Sequence, residues 1–451
     1  METKTQLAKL GLFDAKVPRY TSYPTAPHFS NNVTSGDFTN WIKGIVPGSE
    51  ISLYLHVPFC RRLCWFCACR TQGTQSESPV RAYLETLKAE LQLLRQNLPE
   101  NVSLNRLHWG GGTPTLLSAA MMTDLAEAIL NVAPFAPDYE FSVEIDPNEI
   151  DDSRLSALAA AGMNRASIGV QDFDEGIQKT IGRLQSYNVT RDAIEAIRAH
   201  GVYSLNADIL YGLPHQSKER ITESVQKLLS LNPDRVALYG YAHVPWMAKR
   251  QQMIPSDALP TPQERLDLFE TARRLFVWDN YAEIGIDHFA TQSDGLTIAQ
   301  KTGKLRRNFQ GYTDDTSDVL VGVGASSISR FPQGYAQNNA STGAYTGAIR
   351  DGGFATARGH MFTPEDKLRS RVIEMLMCDF RTNDAELRDT FQMSQANLDQ
   401  LYAGAKSDFK GHLDHSGGGL FIPPESRPLT RMIARAFDAY DLSKAGHSSA
   451  I

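Results

Sequence analysis

Hydrophobic and polar residues along the chain alternate short strand-like runs with longer helical patterns. The strand-like runs lie between about residues 50 and 290, and each is followed by a loop rich in Gly, Pro, Asp or Asn. They predict six strands: Ile51–Val57, Asn105–Trp109, Tyr139–Ile145, Ala166–Gln171, Ser204–Leu210 and Arg235–Tyr241. Helical periodicity covers Pro79–Gln96, Ser118–Val132, Ser153–Ala161, Thr190–His200, Lys218–Leu229 and Pro262–Trp278. This order indicates an α/β fold in which helical crossovers join parallel strands.

A polar or glycine-rich cluster follows directly after each of the six predicted strands. In a parallel sheet or barrel, chemistry lies at the carboxyl ends of the strands, where the loops and helix N-termini converge. We therefore expect one rim to carry all six clusters: His56–Cys69, Gly110–Pro114, Glu144–Pro147, Gln171–Phe173, Asp208–Pro214 and Ala242–Pro245.

The segments on either side of this core have other patterns. The N-terminal residues, including Pro18–Ala26, have little periodicity and could form either a lid over the rim or a packed arm. A Gly- and Asn-rich stretch follows residue 290, and helical periodicity returns in Arg371–Phe380 and Arg427–Tyr440. We predict an N-terminal arm (1–49), a barrel (50–290), a segment that completes or connects the barrel (291–362) and a mainly helical C-terminal domain (363–451).

The composition is that of an ordinary globular protein. Hydrophobic residues make up 42% of the chain, charged residues make up 21%, and the net charge is -6. These values argue against a disordered chain and against a basic nucleic-acid binder. The N-terminus lacks the apolar region of a signal peptide, and no window approaches the ~18 consecutive apolar residues of a membrane helix. We therefore expect a cytoplasmic protein with no membrane span and no nucleic-acid partner.

Four of the five cysteines, Cys60, Cys64, Cys67 and Cys69, lie close together, whereas Cys378 lies in an apolar helical pattern typical of a core position. In a reducing compartment, such a group indicates a metal or redox site. Structural zinc usually requires two CxxC knuckles a dozen or more residues apart, and the sequence has no second knuckle. A CxxxCxxC loop can instead hold three irons of a 4Fe-4S cluster and leave the fourth iron open. Zinc remains the alternative.

The cysteine motif and further runs along the chain resemble a known family. The motif has the form Tyr54-x-His56-x-Pro58-Phe59-Cys60-x3-Cys64-x-Phe66-Cys67-x-Cys69. It resembles the radical S-adenosylmethionine (SAM) enzymes and, among them, the oxygen-independent coproporphyrinogen III oxidase family. Ordered matches cover nearly the whole chain, at Pro18–Ala26, His108–Thr115, Ser167–Phe173, Asn206–Gln216, Tyr241–Trp246, Ile284–Ala290 and Arg307–Thr313. The resemblance implies a partial (β/α)6 radical SAM barrel with an N-terminal arm and a mainly helical C-terminal domain.

The resemblance also implies the residues of the site. A 4Fe-4S cluster would be held by Cys60, Cys64 and Cys67, and Cys69 would be a functional thiol that is not a ligand. Of two SAM molecules, the one on the cluster would contact Tyr54, Gly111, Glu144 and Ile328. The second would contact Phe66, Gly112, Thr113, Gln171, Arg183, Asp208 and Ala242. Ordinary alternatives remain for some of these residues: a tight turn at Gly110–Pro114, an exposed carboxylate at Glu144, a solvated guanidinium at Arg183 and a buried strand residue at Ile328.

The implied reaction converts coproporphyrinogen III into protoporphyrinogen IX without oxygen, in haem biosynthesis. A 5'-deoxyadenosyl radical takes a hydrogen from the β-carbon of a propionate, and loss of CO2 and one electron then leaves a vinyl group, twice per macrocycle. A low-potential electron donor is needed, and we expect a monomer. A haem-trafficking paralogue is the competing hypothesis. That relative lacks the fourth motif cysteine and the N-terminal arm, so Cys69 and Pro18–Ala26 favour the oxidase.

The anionic substrate needs local positive charge in a globally acidic protein. Lys301, Lys304, Arg306 and Arg307 form a basic group, which Gln310 follows. Guanidinium groups suit the carboxylates of the macrocycle. We therefore expect Arg307 and Gln310 to contact propionates, although such a run could equally be a solvated face.

Overall fold

A largely parallel sheet dominates the larger of two units into which the chain divides. The computed structural model describes residues 7–415, 417–441 and 450. The sheet unit comprises Ser30–Leu259 and Ser317–Met361. The flanking unit comprises the described residues of 1–29, 260–316 and 362–451.

The strands of the sheet unit carry the predicted rim. In chain order, the described strands of the whole protein are β1 (Glu50–Val57), β2 (Phe59–Cys60), β3 (Gln72–Gly73), β4 (Ser103–Gly111), β5 (Phe135–Ile145), β6 (Arg165–Gln171), β7 (Ser204–Tyr211), β8 (Arg235–Gly240), β9 (Ala282–Ile284), β10 (His288–Ala290), β11 (Arg306–Asn308), β12 (Gly311–Thr313), β13 (Leu320–Val323), β14 (Ile328–Phe331), β15 (Gly334–Asn338), β16 (Thr356–Met361), β17 (Asp414–His415) and β18 (Leu420–Phe421).

Helices follow most strands of the sheet unit and make up much of the flanking unit. In chain order, the described helices are α1 (Ser35–Lys43), α2 (Ser78–Asn97), α3 (Ala119–Leu130), α4 (Asp152–Ala160), α5 (Glu175–Thr180), α6 (Tyr187–Ala199), α7 (Lys218–Leu229), α8 (Pro262–Trp278), α9 (Gly295–Lys301), α10 (Thr342–Arg350), α11 (Pro364–Asp379), α12 (Asp384–Phe391), α13 (Gln395–Asp408) and α14 (Thr430–Arg435). None of the described helices combines the length and the apolar character needed to cross a membrane.

The sheet unit has the strand order β16-β15-β14-β13-β1-β4-β5-β6-β7-β8. All neighbours from β13 to β8 are parallel, which confirms the six predicted strands as consecutive members of one parallel sheet. The pattern did not predict β13 to β16, which extend the sheet beyond β1. These strands are short, and three of them contain Gly, which weakens the hydrophobic signal of a strand.

Burial on both faces explains why the central strands are nearly continuous in apolar residues. Trp109 on β4 and Phe141 on β5 are fully buried, and their ring centroids lie 5.2 Å apart. The covering helices begin at capping residues. The side-chain oxygen of each cap accepts from a backbone N–H of the first turn and so stabilises the start of the helix. Caps of this kind start α3, α4, α6 and α7 at Ser118, Asp151, Ser186 and Ser217.

A buried ionic group near the amino ends of the strands stabilises the end of the sheet opposite the rim. Arg165 Nε donates to Glu140 Oε2 at 2.8 Å, and Arg235 lies 3.8 Å from the same oxygen. Burial alone would raise the pKa of Glu140, but Arg165, Arg235 and Arg106 together lower it to about 2. The Glu140 carboxylate is thus charged at neutral pH.

In the flanking unit, the N-terminal segment packs as an arm. Tyr20 and Tyr23 are buried, Tyr20 Oη donates to Asp438 Oδ2 at 2.9 Å, and Tyr23 Oη accepts from the Ala439 backbone. These contacts match the packed-arm alternative for Pro18–Ala26. Cys378 is buried with apolar neighbours, as its pattern predicts.

The two units differ from the predicted boundaries because segments distant in sequence pack together. Residues 30–49 belong to the sheet unit, whereas residues 260–290, including α8, belong to the flanking unit. Residues 317–361 belong to the sheet unit because β13 pairs with β1. The order of residues along the chain does not reveal which distant segments pair.

Candidate functional site

The cysteines lie on a loop that follows β1, Pro58–Gly73, here called the cysteine loop. β2 and β3 pair in parallel, so the two ends of the loop meet. Cys60, Cys64 and Cys67 are partly buried, and Cys69 is exposed. The three predicted ligands therefore have similar exposure, and Cys69 is more exposed than they are.

Hydrogen-bond donors point at two of the predicted ligand sulfurs. The Cys69 backbone N–H donates to Cys67 Sγ at 3.4 Å, and Arg183 Nη1 donates to Cys64 Sγ at 3.6 Å. A hydrogen bond from the Cys69 thiol, with help from Arg250 and Arg183, lowers the pKa of Cys67 to about 6. Thiolate is the form in which cysteine binds iron. The donors at Cys64 and Cys67 therefore suit a thiolate-bound group, whereas burial raises the pKa of Cys60 to about 11.

The described residues include no group of three or more His, Cys, Asp or Glu side chains placed to hold a metal ion. In a 4Fe-4S cluster, each thiolate binds a different iron, so the ligands need not meet at one point. The partly buried thiols and the donors aimed at their sulfurs fit such a cluster.

A turn after β8 holds the cysteine loop from the other side of the rim. Gln251 is fully buried, and its Nε2 donates to Phe66 O at 2.7 Å and to Ala242 O at 3.0 Å. Its Oε1 accepts from the Val244 backbone. Arg250 adds two hydrogen bonds to Thr71, at 3.0 and 3.1 Å. One amide thus joins the backbones of two residues assigned to the second SAM.

Glycines at the end of β4 allow close approach to the cysteine loop and to β5. A Cβ on Gly112 would lie 2.5 Å from Phe59 O, and a Cβ on Gly110 would lie 2.6 Å from Glu144 Oε1. Gly111 has a φ of 108°, a conformation that side chains disfavour. The Gly112 and Thr113 amides donate to Val57 O and Phe59 O, each at 2.8 Å. At Gly112 the nearby backbone of the cysteine loop leaves no room for a side chain, so packing alone requires glycine there, and a contact of this run with SAM stays a prediction.

Tyr54 and Glu144 belong to a connected set of polar side chains on β1, β4 and β5. Glu144 Oε2 accepts from the Gly111 amide at 3.0 Å, and Oε1 lies 3.2 Å from His108 Nε2. The Tyr54 and His108 rings stack with centroids 5.7 Å apart. Glu144 is thus an oriented carboxylate at the rim rather than an isolated surface group.

His56 is held in one tautomer. Its Nε2 lies 3.2 Å from the Arg70 carbonyl, which can only accept, so Nε2 carries the proton. Nδ1 then accepts from Tyr54 Oη at 3.0 Å. Burial lowers the pKa of His56 and raises that of Tyr54, which favours the neutral form of both groups.

Arg183 is half-buried rather than fully solvated, with 15% of its side chain exposed. Its Nη2 donates to Gly169 O at 2.9 Å and to Gln185 Oε1 at 3.0 Å. Its buried Nε has no hydrogen-bond partner among the residues that the structure describes. A buried donor left unsatisfied is costly, and a bound ligand would satisfy it.

Other residues predicted for the second SAM lie at the neighbouring strand ends. Gln171 ends β6 with a φ of 69°, and a Cβ on Gly169 would lie 2.8 Å from its Nε2. Asp208 on β7 accepts from Asn206 at 3.0 Å. The register pairs Gly169 with Asp208 across the two strands. Gly169, whose carbonyl accepts from Arg183, is thus the neighbour of Gln171 on its own strand and of Asp208 on the next.

Ile328 reaches the Tyr54 side of the rim through β13. Tyr54 pairs with Gly322 across the sheet, and a Cβ on Gly322 would lie 2.7 Å from Ile328 O. The turn before Ile328 is held by Glu90, whose Oε2 accepts from the Gly324 amide at 2.7 Å. Tyr345 and Asn338 also donate to the Glu90 carboxylate, at 2.6 and 2.7 Å.

Arg307 and Gln310 lie in the flanking unit, unlike the other predicted site residues. The Arg307 side chain is 3% exposed, lies 3.8 Å from Asp287 Oδ1 and stacks 4.4 Å above the Tyr312 ring. Gln310 is exposed. The contacts of Arg307 support a packing role, and its contact with a propionate stays a prediction.

Comparison with known proteins identifies the family. The model of the Radical SAM superfamily matches residues 54–228, which include the whole cysteine loop. The chain is 64% identical to the oxygen-independent coproporphyrinogen III oxidase of Paracoccus denitrificans over 451 residues, 100% of both chains. The chain belongs to the oxygen-independent coproporphyrinogen III oxidase family. The enzyme of that name from Cereibacter sphaeroides is 56% identical over 98% of each chain.

A solved structure agrees with the oxidase family. Coproporphyrinogen III oxidase from Escherichia coli, described as a radical SAM enzyme, has a TM-score of 0.88 and 34% identity to this chain. The match covers 95% of this chain and 100% of that one. The predicted radical SAM α/β fold is therefore confirmed. Membership of a radical SAM family implies a 4Fe-4S cluster and SAM and leaves the zinc alternative without support.

Three side chains that organise the rim were not predicted from the sequence: His108, Gln251 and Glu90. His108 lies in the predicted strand Asn105–Trp109, two residues before the glycine run, so its position carried a signal. Gln251 and Glu90 carried no signal in the sequence, because their partners Phe66 and Gly324 are 185 and 234 residues away.

Proposed function

We propose that this protein catalyses the oxygen-independent oxidative decarboxylation of two propionates of coproporphyrinogen III, giving protoporphyrinogen IX in haem biosynthesis. The observation that carries the proposal is full-length identity of 64% to an oxidase of this name. The rim agrees with that assignment, because its cysteine loop, glycine run and oriented carboxylate adjoin one another.

The residues of the rim can be assigned to the cofactors that they would bind. Cys60, Cys64 and Cys67 would hold a 4Fe-4S cluster, and the chemistry it would supply is the one-electron reductive cleavage of SAM to methionine and a 5'-deoxyadenosyl radical. The SAM on the cluster would be bound by Tyr54, Gly111, Glu144 and Ile328. A second SAM would be bound by Phe66, Gly112, Thr113, Gln171, Arg183, Asp208 and Ala242.

Within this arrangement, Glu144 provides a carboxylate whose orientation is set before the ligand binds. The Gly111 amide and His108 hold its two oxygens, and the remaining lone pairs can accept from an ammonium or a ribose hydroxyl. The glycine run lets a ligand approach the backbone closely. These residues bind and orient SAM rather than react with it.

The protein's part in the substrate reaction is to position a propionate and to exclude water. Each decarboxylation removes a hydrogen atom from the β-carbon, releases CO2 and passes one electron to an acceptor, so the macrocycle gains one vinyl group. Cys69 is proposed as a functional thiol, because it is exposed next to the ligand cysteines. Arg307 and Gln310 are proposed as propionate contacts.

The setting of the reaction follows from its chemistry. A low-potential one-electron reductant must supply the electron for SAM cleavage. We propose that the protein acts as a monomer in the cytoplasm.

The deciding experiment is an anaerobic assay with coproporphyrinogen III, SAM and dithionite. The expected products are protoporphyrinogen IX, CO2 and 5'-deoxyadenosine, with two CO2 released per macrocycle. Equilibrium dialysis with labelled SAM should give two bound molecules per chain. A Cys64→Ser variant is the matched control and should give no product. Haem binding without turnover would instead support the haem-trafficking hypothesis.

A further inference from the structure

Arg183 contacts a predicted cluster ligand directly. Its Nη1 lies 3.6 Å from Cys64 Sγ in a hydrogen bond from a cation to sulfur. The guanidinium remains charged throughout the physiological pH range. A full positive charge therefore lies next to one of the three thiols that would hold the cluster.

The position of this charge is fixed by a buried amide network. Gln185 accepts from Arg183 Nη2 and is itself held by Gln178, whose Nε2 donates to Gln185 O at 2.6 Å. Gln178 Oε1 accepts from the Gln185 amide at 3.0 Å. Gln178 and Gln185 are 4% and 2% exposed. The guanidinium is thus pre-oriented by protein contacts before any ligand binds.

One acidic group opposes this charge. Asp146 Oδ2 lies 3.7 Å from Arg183 Nη1. Asp146 Oδ1 accepts from the Asn148 amide at 3.0 Å, which orients the carboxylate. The sulfur of Cys64 is therefore close to a cation whose field is partly offset by a fixed anion.

We propose that Arg183 raises the reduction potential of the cluster by its charge and its hydrogen bond to Cys64 Sγ, as well as contacting SAM. The inference rests on the proposed function, since it requires the cluster. One electron from a low-potential reductant makes an iron–sulfur cluster more negative. A fixed cation and an N–H donor at a ligand sulfur stabilise the reduced form over the oxidised form. Asp146 acts in the opposite direction.

The test is a redox titration of the anaerobically reconstituted protein without SAM, followed by electron paramagnetic resonance. Omitting SAM separates this effect from any loss of SAM binding. In Arg183→Gln, the ratio of reduced to oxidised cluster at a fixed potential should fall about tenfold, a shift of about 59 mV for one electron. Arg183→Lys should shift the potential less in the same direction, and Asp146→Asn should shift it upward.

The control is Arg191→Gln, which removes the same charge from an exposed position on α6 and should leave the potential unchanged. An unchanged potential in Arg183→Gln with full iron and sulfide content would overturn the inference. If Arg183→Gln fails to hold iron, the Asp146→Asn variant provides the test. A cluster potential that does not rise in Asp146→Asn would then overturn the inference. A wild-type protein that takes up no iron and sulfide would refute the proposed function itself.

Discussion

Gln251 donates a hydrogen bond to the backbone oxygen of Phe66 at 2.7 Å. The same side-chain nitrogen donates to Ala242 O, so a single buried amide sets the spacing between the cysteine loop and the end of β8. Both backbones belong to residues proposed for the second SAM. Gln251 is thus a positioning residue that acts through its neighbours.

Replacing Gln251 with Glu should weaken SAM binding while iron content stays unchanged. A carboxylate has nearly the same shape but cannot donate to the two carbonyls, and a buried group left unpaired costs about 1–3 kcal/mol. We expect the KM for SAM to rise about tenfold or more. The measurement is KM and kcat for SAM beside iron content.

The control for this variant is Gln226→Glu, which makes the same change on the exposed face of α7. Its KM for SAM should match that of the wild type. A Gln251→Glu enzyme with wild-type KM would show that this amide does not position the SAM contacts.

Serine substitutions of the cysteines should separate ligands from non-ligands. Cys60→Ser, Cys64→Ser and Cys67→Ser should lose iron, because each removes a thiolate of a three-ligand set. Cys69→Ser should keep iron and lose oxidase activity. Iron and sulfide analysis after anaerobic reconstitution checks these outcomes, and Cys378→Ala, in the core of the flanking unit, is the control expected to keep iron. Iron loss in Cys69→Ser would make it a ligand.

Glu90 should make stability depend on pH. Burial, only partly offset by hydrogen bonds from Tyr345, Gly324 and Asn338, raises the pKa of Glu90 to about 6. A carboxyl with a raised pKa contributes stability that is full below its unfolded value of about 4.5 and lost as the pH rises through 6. The expected loss is about 2 kcal/mol.

The free energy of unfolding, measured in urea at pH 4.5 and pH 7, checks this dependence. In Glu90→Gln, the part of the difference due to Glu90 should disappear, because the amide does not titrate. Equal pH dependence in the two proteins would contradict the assignment.

Arg307 should contribute to stability through its buried contacts. Arg307→Ala leaves Asp287 in the interior without this ion pair, and breaking a buried pair typically costs about 3–5 kcal/mol. The unfolding midpoint should therefore fall. Gln310→Ala, at an exposed position, is the control and should leave the midpoint unchanged. An unchanged KM for coproporphyrinogen III in both variants would exclude them as propionate contacts.

The parallel core and the cysteine loop could be predicted from the sequence because their signals are local. An apolar run such as Ile51–Val57, followed by turn residues, predicts a strand from only a few neighbouring residues. The interval between Cys60, Cys64 and Cys67 is short enough for one loop to hold all three. Strands β13 to β16 were not predicted from the sequence, because their short runs contain Gly or polar residues. Their pairing in the sheet depends on partners distant in sequence.

The sequence by itself determined the α/β order, the strand ends at which the site residues are predicted and the family, since each depends on residue types at short spacing or on matches along the chain. Only the tertiary structure decided that Arg183 faces Cys64, that Gln251 joins Phe66 to Ala242 and that Arg307 is buried. Those contacts join residues up to 185 positions apart. Their energies come from burial and orientation, which exist only after the chain has folded.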